Sequence, residues 1–578
     1  MMHPDNPLIV QGDLTVLVEV DSPRYADARD ALLGFAELVK SPEHVHTYRI
    51  TPLSIWNACA AGHGADAITA ALERYARYPV PQQVDVAIRD FAGRYGRLVL
   101  RQDAEGLLLS CADAPLAELV ARHDAVAPLL GARQDACTFR VPAAQRGKLK
   151  QTLVRIGWPA EDRAGYRDGE VLSMALRATG PDGAAFAPRP YQVEAADAFH
   201  AAGAESGGSG VVVLPCGAGK TIVGMACMAR VSASTLILTT GVTAARQWVA
   251  ELLARTTLTE DQIGVYHGGE KDIRQVTVAT YQILTHRKRR DAPFTHLDLF
   301  DRRDWGLIIY DEVHLLPAPV FQVTAELQAR RRLGLTATLV REDGREEDVF
   351  ALIGPKKADV PWKVLERQGW IASAACTEVR VAMADELRMA YALAPERQRF
   401  RIASENPAKS ALVRSLLERH AGEPTLIIGM YVEQLRALAG ELDIPVLTGS
   451  TPQRKRDQLY GAFQAGEVSV LAVSKIANFA LDLPDAAVAI QISGTFGSRQ
   501  EEAQRLGRIL RPKAGTNQAH FYTVVSRDSV EQDFALKRQL FLCEQGYAYH
   551  IVDAGTGACA PPAAAHRPGP SPGLRLIR

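Results

Sequence analysis

Val211-Val212-Val213-Leu214-Pro215-Cys216-Gly217-Ala218-Gly219-Lys220-Thr221 decides how the rest of this chain is read. Three β-branched residues predict a short buried strand, two glycines allow a tight loop, and the apolar pattern Ile222, Val223, Met225, Ala226 opens a helix. Such a loop is a polyphosphate cradle, because its backbone N–H groups and the positive end of the helix face the anion together. Gly217, Ala218 and Gly219 supply the wrapping backbone. Lys220 brings a point charge to the β- and γ-phosphates, and the Thr221 hydroxyl is a Mg²⁺ ligand. The full pattern asks for another glycine at position 214, where this chain has leucine. Alone, the stretch also reads as a plain strand, turn and helix.

Downstream, the apolar strand Leu307-Ile308-Ile309-Tyr310 ends in Asp311-Glu312-Val313-His314. Carboxylates at the C-terminal edge of a parallel strand point into the crevice where a phosphate loop opens. Asp311 is expected to hold Mg²⁺ and Glu312 to orient or activate an attacking water. Read by itself, such a tetrapeptide is a solvated acidic turn. A third piece is Gln504-Arg505-Leu506-Gly507-Arg508-Ile509-Leu510-Arg511. On a helix Gln504, Arg508 and Arg511 share one face. Two guanidiniums aimed at a triphosphate meet the charge of the transition state, where arginine fingers contribute about 10³–10⁵ in rate. The alternative is an exposed basic helix. Gly507 costs such a helix roughly 1 kcal/mol, which a plain surface helix has little reason to bear.

A chain of 578 residues exceeds one core and predicts three or four domains. Its 66 basic and 66 acidic residues cancel, so any nucleic-acid site must be local. The eight cysteines are scattered without a C-x-x-C pair, which speaks against zinc, iron–sulfur or disulfide frameworks and for a reducing cytoplasm. No run of about 18 apolar residues and no signal-peptide pattern are present, so a soluble cytoplasmic protein with no membrane partner is expected.

Residues 1–135 read as one unit. A strand at 14–20 and a stretch of helical periodicity at 26–40 precede helices at 52–61, 65–76 and 82–95, and two β-like runs follow at 98–102 and 107–110; three short helices and a small hairpin are the order of a winged helix. The third helix offers Gln82, Gln83, Arg89 and Arg94 to a groove, while Asp85 and Asp90 argue equally for protein docking. His44 and His46 read as ordinary strand or loop residues. Residues 136–182 form a small α+β unit with strands at 137–141 and 171–176. Between them runs a helix at 143–156 whose Arg146, Lys148, Lys150 and Arg155 read as a solvated basic face. Beyond the turn-rich linker 179–188, strands and helices alternate through 183–360 and 361–553, the pattern of two doubly wound parallel sheets. The Pro-, Ala- and Gly-rich stretch 554–578 is expected to be disordered.

Taken in order, Arg189-Pro190-Tyr191-Gln192, the phosphate loop, Asp311-Glu312-Val313-His314, Leu335-Thr336-Ala337-Thr338 and the arginine helix resemble a superfamily 2 helicase motor. More narrowly, the chain resembles the XPB family, the helicase of the eukaryotic transcription-initiation and repair factor, with its prokaryotic relatives. The narrowing residues are the acidic tetrad, Thr338-Leu339-Val340-Arg341-Glu342-Asp343-Gly344, Ile353-Gly354-Pro355-Lys356-Lys357 and Gln500 through Arg511. His46 through Trp56 is similar to that family's N-terminal region, and 137–178 to its small damage-recognition-like domain.

The resemblance implies two RecA-like lobes closing on Mg·ATP, and an ATP-dependent 3′-to-5′ DNA helicase of repair or transcription. It implies that Gln192, with Arg189, reads the adenine edge, and that Thr336 and Thr338, with His314, couple nucleotide to DNA. Arg341, Glu342 and Asp343 match the element that engages and separates the duplex. A thumb-like insertion near 385–401, carrying Arg388, matches the part that grips DNA, and Asp482 the motif touching ribose and backbone. Ala480 and Ser474 depart from the common glycine and threonine of that motif. The implied partners are DNA, at single-strand/duplex junctions, and a nuclease or a repair or transcription factor, with a nucleoid-associated monomer as the form. The rivals are a duplex translocase that does not separate strands, an ATP-switched DNA-binding module and, more weakly, an RNA helicase.

Overall fold

Alternating buried side chains place β1 (Leu8–Val10), β2 (Thr15–Glu19), β3 (Glu37–Lys40) and β4 (Val45–Arg49) in one antiparallel sheet of order β1-β2-β4-β3. Val16, Val18, Leu38 and Tyr48 face the helices Tyr25–Leu32, Pro52–Ala60, Ala65–Tyr75 and Gln82–Arg94. Each such side chain, fully buried, contributes about 1.5–3 kcal/mol. The helix Pro52–Ala60 starts at a capping box: the Thr51 hydroxyl accepts from the Ser54 N–H and Ser54 Oγ from the Thr51 N–H. This computed structural model describes residues 3–41, 44–180, 183–204, 207–215, 217–289, 294–317, 320–321, 323–324, 330–337, 346–474, 486–494, 506–507, 517–547 and 549–554.

The winged-helix expectation is corrected here. The hairpin β5 (Leu98–Asp103) and β6 (Gly106–Cys111) does not serve the three helices before it. It joins β7 (Thr138–Val141) and β8 (Ala160–Asp162) in a sheet of order β7-β6-β5-β8, so a division at 135/136 would cut one sheet. Leu98, Leu100 and Leu109 pack on Leu149 and Leu153 of the helix Arg146–Arg155, a core separate from that of the first unit. That helix is not a solvated basic face either. Arg146 and Lys150 are buried on the two oxygens of Asp162, at 2.6 and 2.8 Å. Burial pulls the Lys150 ammonium down to about 8, the Asp162 charge opposing. The stretch expected as a strand at 171–176 makes only isolated bridges, Val171 to Ala233 and Leu176 to Thr256, and Val171 stays 77% exposed.

The first lobe is a wholly parallel sheet of β9 (Ser209–Val213), β10 (Thr235–Thr239), β11 (Ile263–Tyr266), β12 (Val276–Thr280), β13 (Leu307–Asp311), β14 (Arg331–Thr336) and β15 (Lys356–Asp359). Its order is β11-β12-β10-β13-β14-β9-β15, which brings the ends of β9, β13 and β14 side by side. The second lobe repeats the architecture with β16 (Ser373–Val381), β17 (Thr425–Gly429), β18 (Val446–Leu447), β19 (Val470–Ser474), β20 (Val488–Gln491), β21 (Gln518–Ser526) and β22 (Tyr549–Asp553). Again all strands are parallel, in the order β18-β19-β17-β20-β21-β16-β22. Near-continuous apolar strands such as Leu426, Ile427, Ile428 are what sheets covered on both faces require.

The N-terminal unit rests on both lobes. On the first, Asn57 Oδ1 accepts from the Lys356 N–H at 3.1 Å, and Trp56 packs with Ala351 and with Val154 of the small unit. On the second, its core takes in Leu540 and Cys543, Gly546 lies against the Arg29 guanidinium, and Asp30 faces Arg367 at 3.7 Å.

Candidate active site

The chain leaves β9 through Leu214, whose N–H donates to the Thr336 carbonyl at 2.9 Å. It then turns through Gly217 (φ 81°) and Gly219 (φ 78°), left-handed geometry that a side chain adopts only with strain. Gly219 precedes the helix Lys220–Val231, and no side chain among the described residues caps its start. Its first-turn N–H groups therefore face the loop, the arrangement that binds phosphate. Thr221 lies in this first turn.

Behind the loop, the Gln192 amide donates to the Ala218 carbonyl at 2.9 Å and accepts from the Arg189 N–H at 2.8 Å. The Tyr191 hydroxyl donates to the same carbonyl at 2.8 Å. A Cβ on Gly219 would lie 2.4 Å from Gln192 Nε2. Gln192 thus braces the phosphate loop, and the Arg189 guanidinium lies 4.5 Å from the centre of the Trp370 ring, on the segment that joins the lobes.

At the end of β13 Asp311 is clasped by two donors: Trp248 Nε1 on Oδ2 at 2.9 Å and the Glu312 N–H on Oδ1 at 3.1 Å. Glu312 adopts φ 50°, ψ 54°, an uncommon conformation for a side-chain-bearing residue, which turns its carboxylate toward the loop. There Lys220 Nζ pairs with Glu312 Oε1. His314 Nδ1 lies 2.6 Å from Thr336 Oγ1 and 3.5 Å from Glu312 Oε2. The acidic strand end is thereby tied both to the phosphate loop and to β14.

Burial, with the neighbouring Glu312 charge adding and Lys220 opposing, pushes Asp311 up to about 6. Burial would raise Glu312 too, but the Lys220 ammonium, with His314, holds it below the usual carboxylate range. Two carboxylates thus share a crevice with one ammonium, a charge imbalance that a divalent cation relieves. The donors at hand, the Asp311 carboxylate and the Thr221 hydroxyl, are the hard oxygens that Mg²⁺ takes, so the residues suit it.

Other expected site residues are less centrally placed. Arg388 sits on the helix Asp385–Leu393, the first of a helical hairpin with Glu396–Ser404. Its side chain is 65% exposed, with Asp385 at 3.9 Å. Arg89 is bridged to Asp85 and Asp66, and Arg94 to Asp90, so the helix Gln82–Arg94 carries balanced ion pairs. Thr338, Arg341, Glu342, Asp343, Asp482, Gln504, Arg508 and Arg511 lie outside the described residues. The sequence reading did not find Trp248 and Tyr281, whose hydroxyl donates to the Asp311 carbonyl at 2.9 Å. An aromatic residue on an apolar helix face reads as core, and its polar edge leaves no trace in the pattern.

Two tandem parallel-sheet lobes, the first bearing a phosphate loop beside an acidic strand end, define an ATPase motor of the superfamily 2 helicase class. Three family models match the chain: ERCC3/RAD25/XPB C-terminal helicase over residues 365–564, the res subunit of type III restriction enzymes over 185–341, and a helicase conserved C-terminal domain over 8–135. The DNA 3′-5′ helicase XPB of Kineococcus radiotolerans is 57% identical over 551 residues, covering 95% of this chain and 97% of that one. That of Mycobacterium tuberculosis is 58% identical, covering 95% and 98%. The general transcription and DNA repair factor IIH helicase/translocase subunit XPB of Antonospora locustae is 33% identical, covering 96% and 82%. The chain belongs to the XPB family of DNA helicases.

Proposed function

We propose that this protein moves 3′-to-5′ along DNA and separates its strands by hydrolysing ATP. The observation that carries the reading is the continuous connection Lys220–Glu312–His314–Thr336, from the phosphate loop to the end of β14. Lys220 exchanges its carboxylate partner for the β- and γ-phosphates, which leaves Glu312 to orient the attacking water and accept its proton. Thr221 and Asp311 would hold Mg²⁺, which would supply positive charge against the phosphates. Gln504, Arg508 and Arg511 complete the site from the second lobe, with Asp482 at the ribose and Arg189 and Gln192 beside the adenine. A change at Glu312 reaches Thr336 through His314, and from there the chain runs on to Thr338 and to Arg341, Glu342 and Asp343 at the duplex. The hairpin carrying Arg388 grips the backbone.

No helix among the described residues is long and apolar enough to cross a membrane. The site of action in this reading is DNA in the cytoplasm, at the nucleoid, with a nuclease or a repair or transcription factor as partner. Phosphate contacts dominate, so DNA affinity falls steeply with salt and depends little on sequence. Strand separation is measured on duplexes with a 3′ or a 5′ single-stranded tail, with Lys220→Ala as the blank. Opening of only the 3′-tailed duplex is the expected result. If neither opens while DNA still stimulates hydrolysis, the motor is a duplex translocase.

A further inference from the structure

Asp311 offers a metal one lone pair on each oxygen, and which way those lone pairs point depends on its two donors. One is its neighbour's own N–H, on Oδ1. The other comes from a different element: the indole of Trp248, on the helix Val242–Arg255, donates to Oδ2 at 2.9 Å from a fully buried position. The indole reaches that far because the helix Lys220–Val231 carries glycine where the ring passes. A Cβ on Gly224 would stand 2.6 Å from Trp248 Cη2 and 3.3 Å from Cζ3. Gly224 is in a helix interior, where glycine is less favourable than alanine, so the vacancy serves the ring and not the helix. Leu335 Cδ1 lies 3.3 Å from the same Cβ position, and Trp248 belongs to one buried apolar cluster with Val223, Ala226, Leu252 and Leu335. The indole N–H thus reaches the carboxylate from within the buried apolar cluster.

We infer that Trp248 is a positioning residue for the divalent-cation ligand of the motor, fixing the plane of the Asp311 carboxylate, and that Gly224 sets how far the indole reaches. The inference rests on the reading of Asp311 as the Mg²⁺ ligand. A donor behind a metal-binding carboxylate typically matters by about 10- to 100-fold in metal affinity. Mn²⁺ serves as the probe, its binding to the full chain with ADP followed by electron paramagnetic resonance. Trp248→Phe keeps an apolar ring and loses the donor. It weakens Mn²⁺ about tenfold or more, while ADP affinity in excess chelator stays unchanged.

Gly224→Ala leaves both functional groups intact but displaces the ring, and it weakens Mn²⁺ in the same direction. Added to Trp248→Phe, whose smaller ring lacks the Cη2 edge, Gly224→Ala has little further effect, so the two substitutions are non-additive. Asp311→Asn separates the two levels of the argument. If it binds Mn²⁺ as the parent does, the reading of Asp311 itself is wrong. If it loses Mn²⁺ while Trp248→Phe and Gly224→Ala both bind normally, only the positioning role is overturned. Thermal unfolding accompanies each variant. Should Trp248→Phe fail to fold, Gly224→Ala decides.

Discussion

His314 Nδ1 stands 2.6 Å from the Thr336 hydroxyl, so the ends of β13 and β14 share a buried hydrogen bond. The same imidazole faces Glu312 Oε2 at 3.5 Å, which puts it between that carboxylate and β14. Thr336→Val keeps the shape and removes the hydroxyl. DNA-stimulated ATP hydrolysis should persist, while base pairs opened per ATP fall about fivefold or more, the range of an ordinary coupling energy. Parallel rate measurements check this. Equal losses in both would mean that the bond supports the site and does not transmit.

Lys220→Ala removes the ammonium that holds Glu312 ionised. Hydrolysis should fall by about 10²–10³-fold or more, as when one preorganised donor at a transition state is lost. The fold should survive, because Lys220 sits at the mouth of the loop and not in the core. Circular dichroism and a steady-state phosphate-release assay test the two halves of that statement together.

The second lobe holds a buried ion pair between Lys409 and Glu531. Lys409 Nζ lies 2.8 and 2.9 Å from the two oxygens of Glu531, which also accept from the Ser526 N–H at 2.8 Å. Removing only the cation by Lys409→Met strands a carboxylate that is 0% exposed. A loss of about 3–5 kcal/mol is expected in denaturant unfolding. A loss under about 1 kcal/mol would show that water reaches Glu531.

His46 makes the N-terminal unit acid-sensitive. Burial, with the Arg29 charge adding, holds its imidazole down at about 4 from an ordinary 6.5, and Nδ1 is bonded to the Tyr25 hydroxyl at 2.9 Å. Between those values the unfolded chain binds the proton and the folded chain does not, so acid favours unfolding. The contribution is complete above about pH 6.5 and is lost as pH falls toward about 4. His46→Gln should therefore flatten the dependence of the melting temperature on pH across that window. An unchanged slope would place the acid sensitivity elsewhere.

The small unit is fastened to the first lobe at Asp348, whose Oδ1 accepts from Gln151 Nε2 and from the Arg155 guanidinium, both at 3.0 Å. Asp348→Ala should speed hydrogen exchange in the helices Arg146–Arg155 and Glu346–Leu352 while leaving the strands of the lobe protected. Exchange that stays slow in both helices would show that the apolar contact of Val154 with Ala351 suffices.

Much of the motor could be read from local pattern. The phosphate loop announces itself through two glycines with positive φ, and β9, β10 and β13 through unbroken apolar runs, because those features are local. Edge strands were missed where the pattern is polar, as in Lys356-Lys357-Ala358-Asp359 of β15, which pairs only because β9 lies beside it. The hairpin β5–β6 was found, but its partner was not, since nothing in Leu98 or Leu109 says that Leu149 and Leu153 will cover them. Arg146 and Lys150 misled for the same reason: their partner Asp162 lies on another element. The acidic tetrad was legible, and the ring that orients its first carboxylate was not.

The seat of the N-terminal unit on the second lobe has a further consequence. Leu540 and Cys543 are 7% and 6% exposed only while the core of that unit lies over them, and the Arg29 guanidinium rests on Gly546 beside them. A chain stripped of residues 3–95 should expose these side chains and self-associate more readily, which size-exclusion chromatography checks. The N-terminal unit and the second lobe are therefore joined through a shared apolar core.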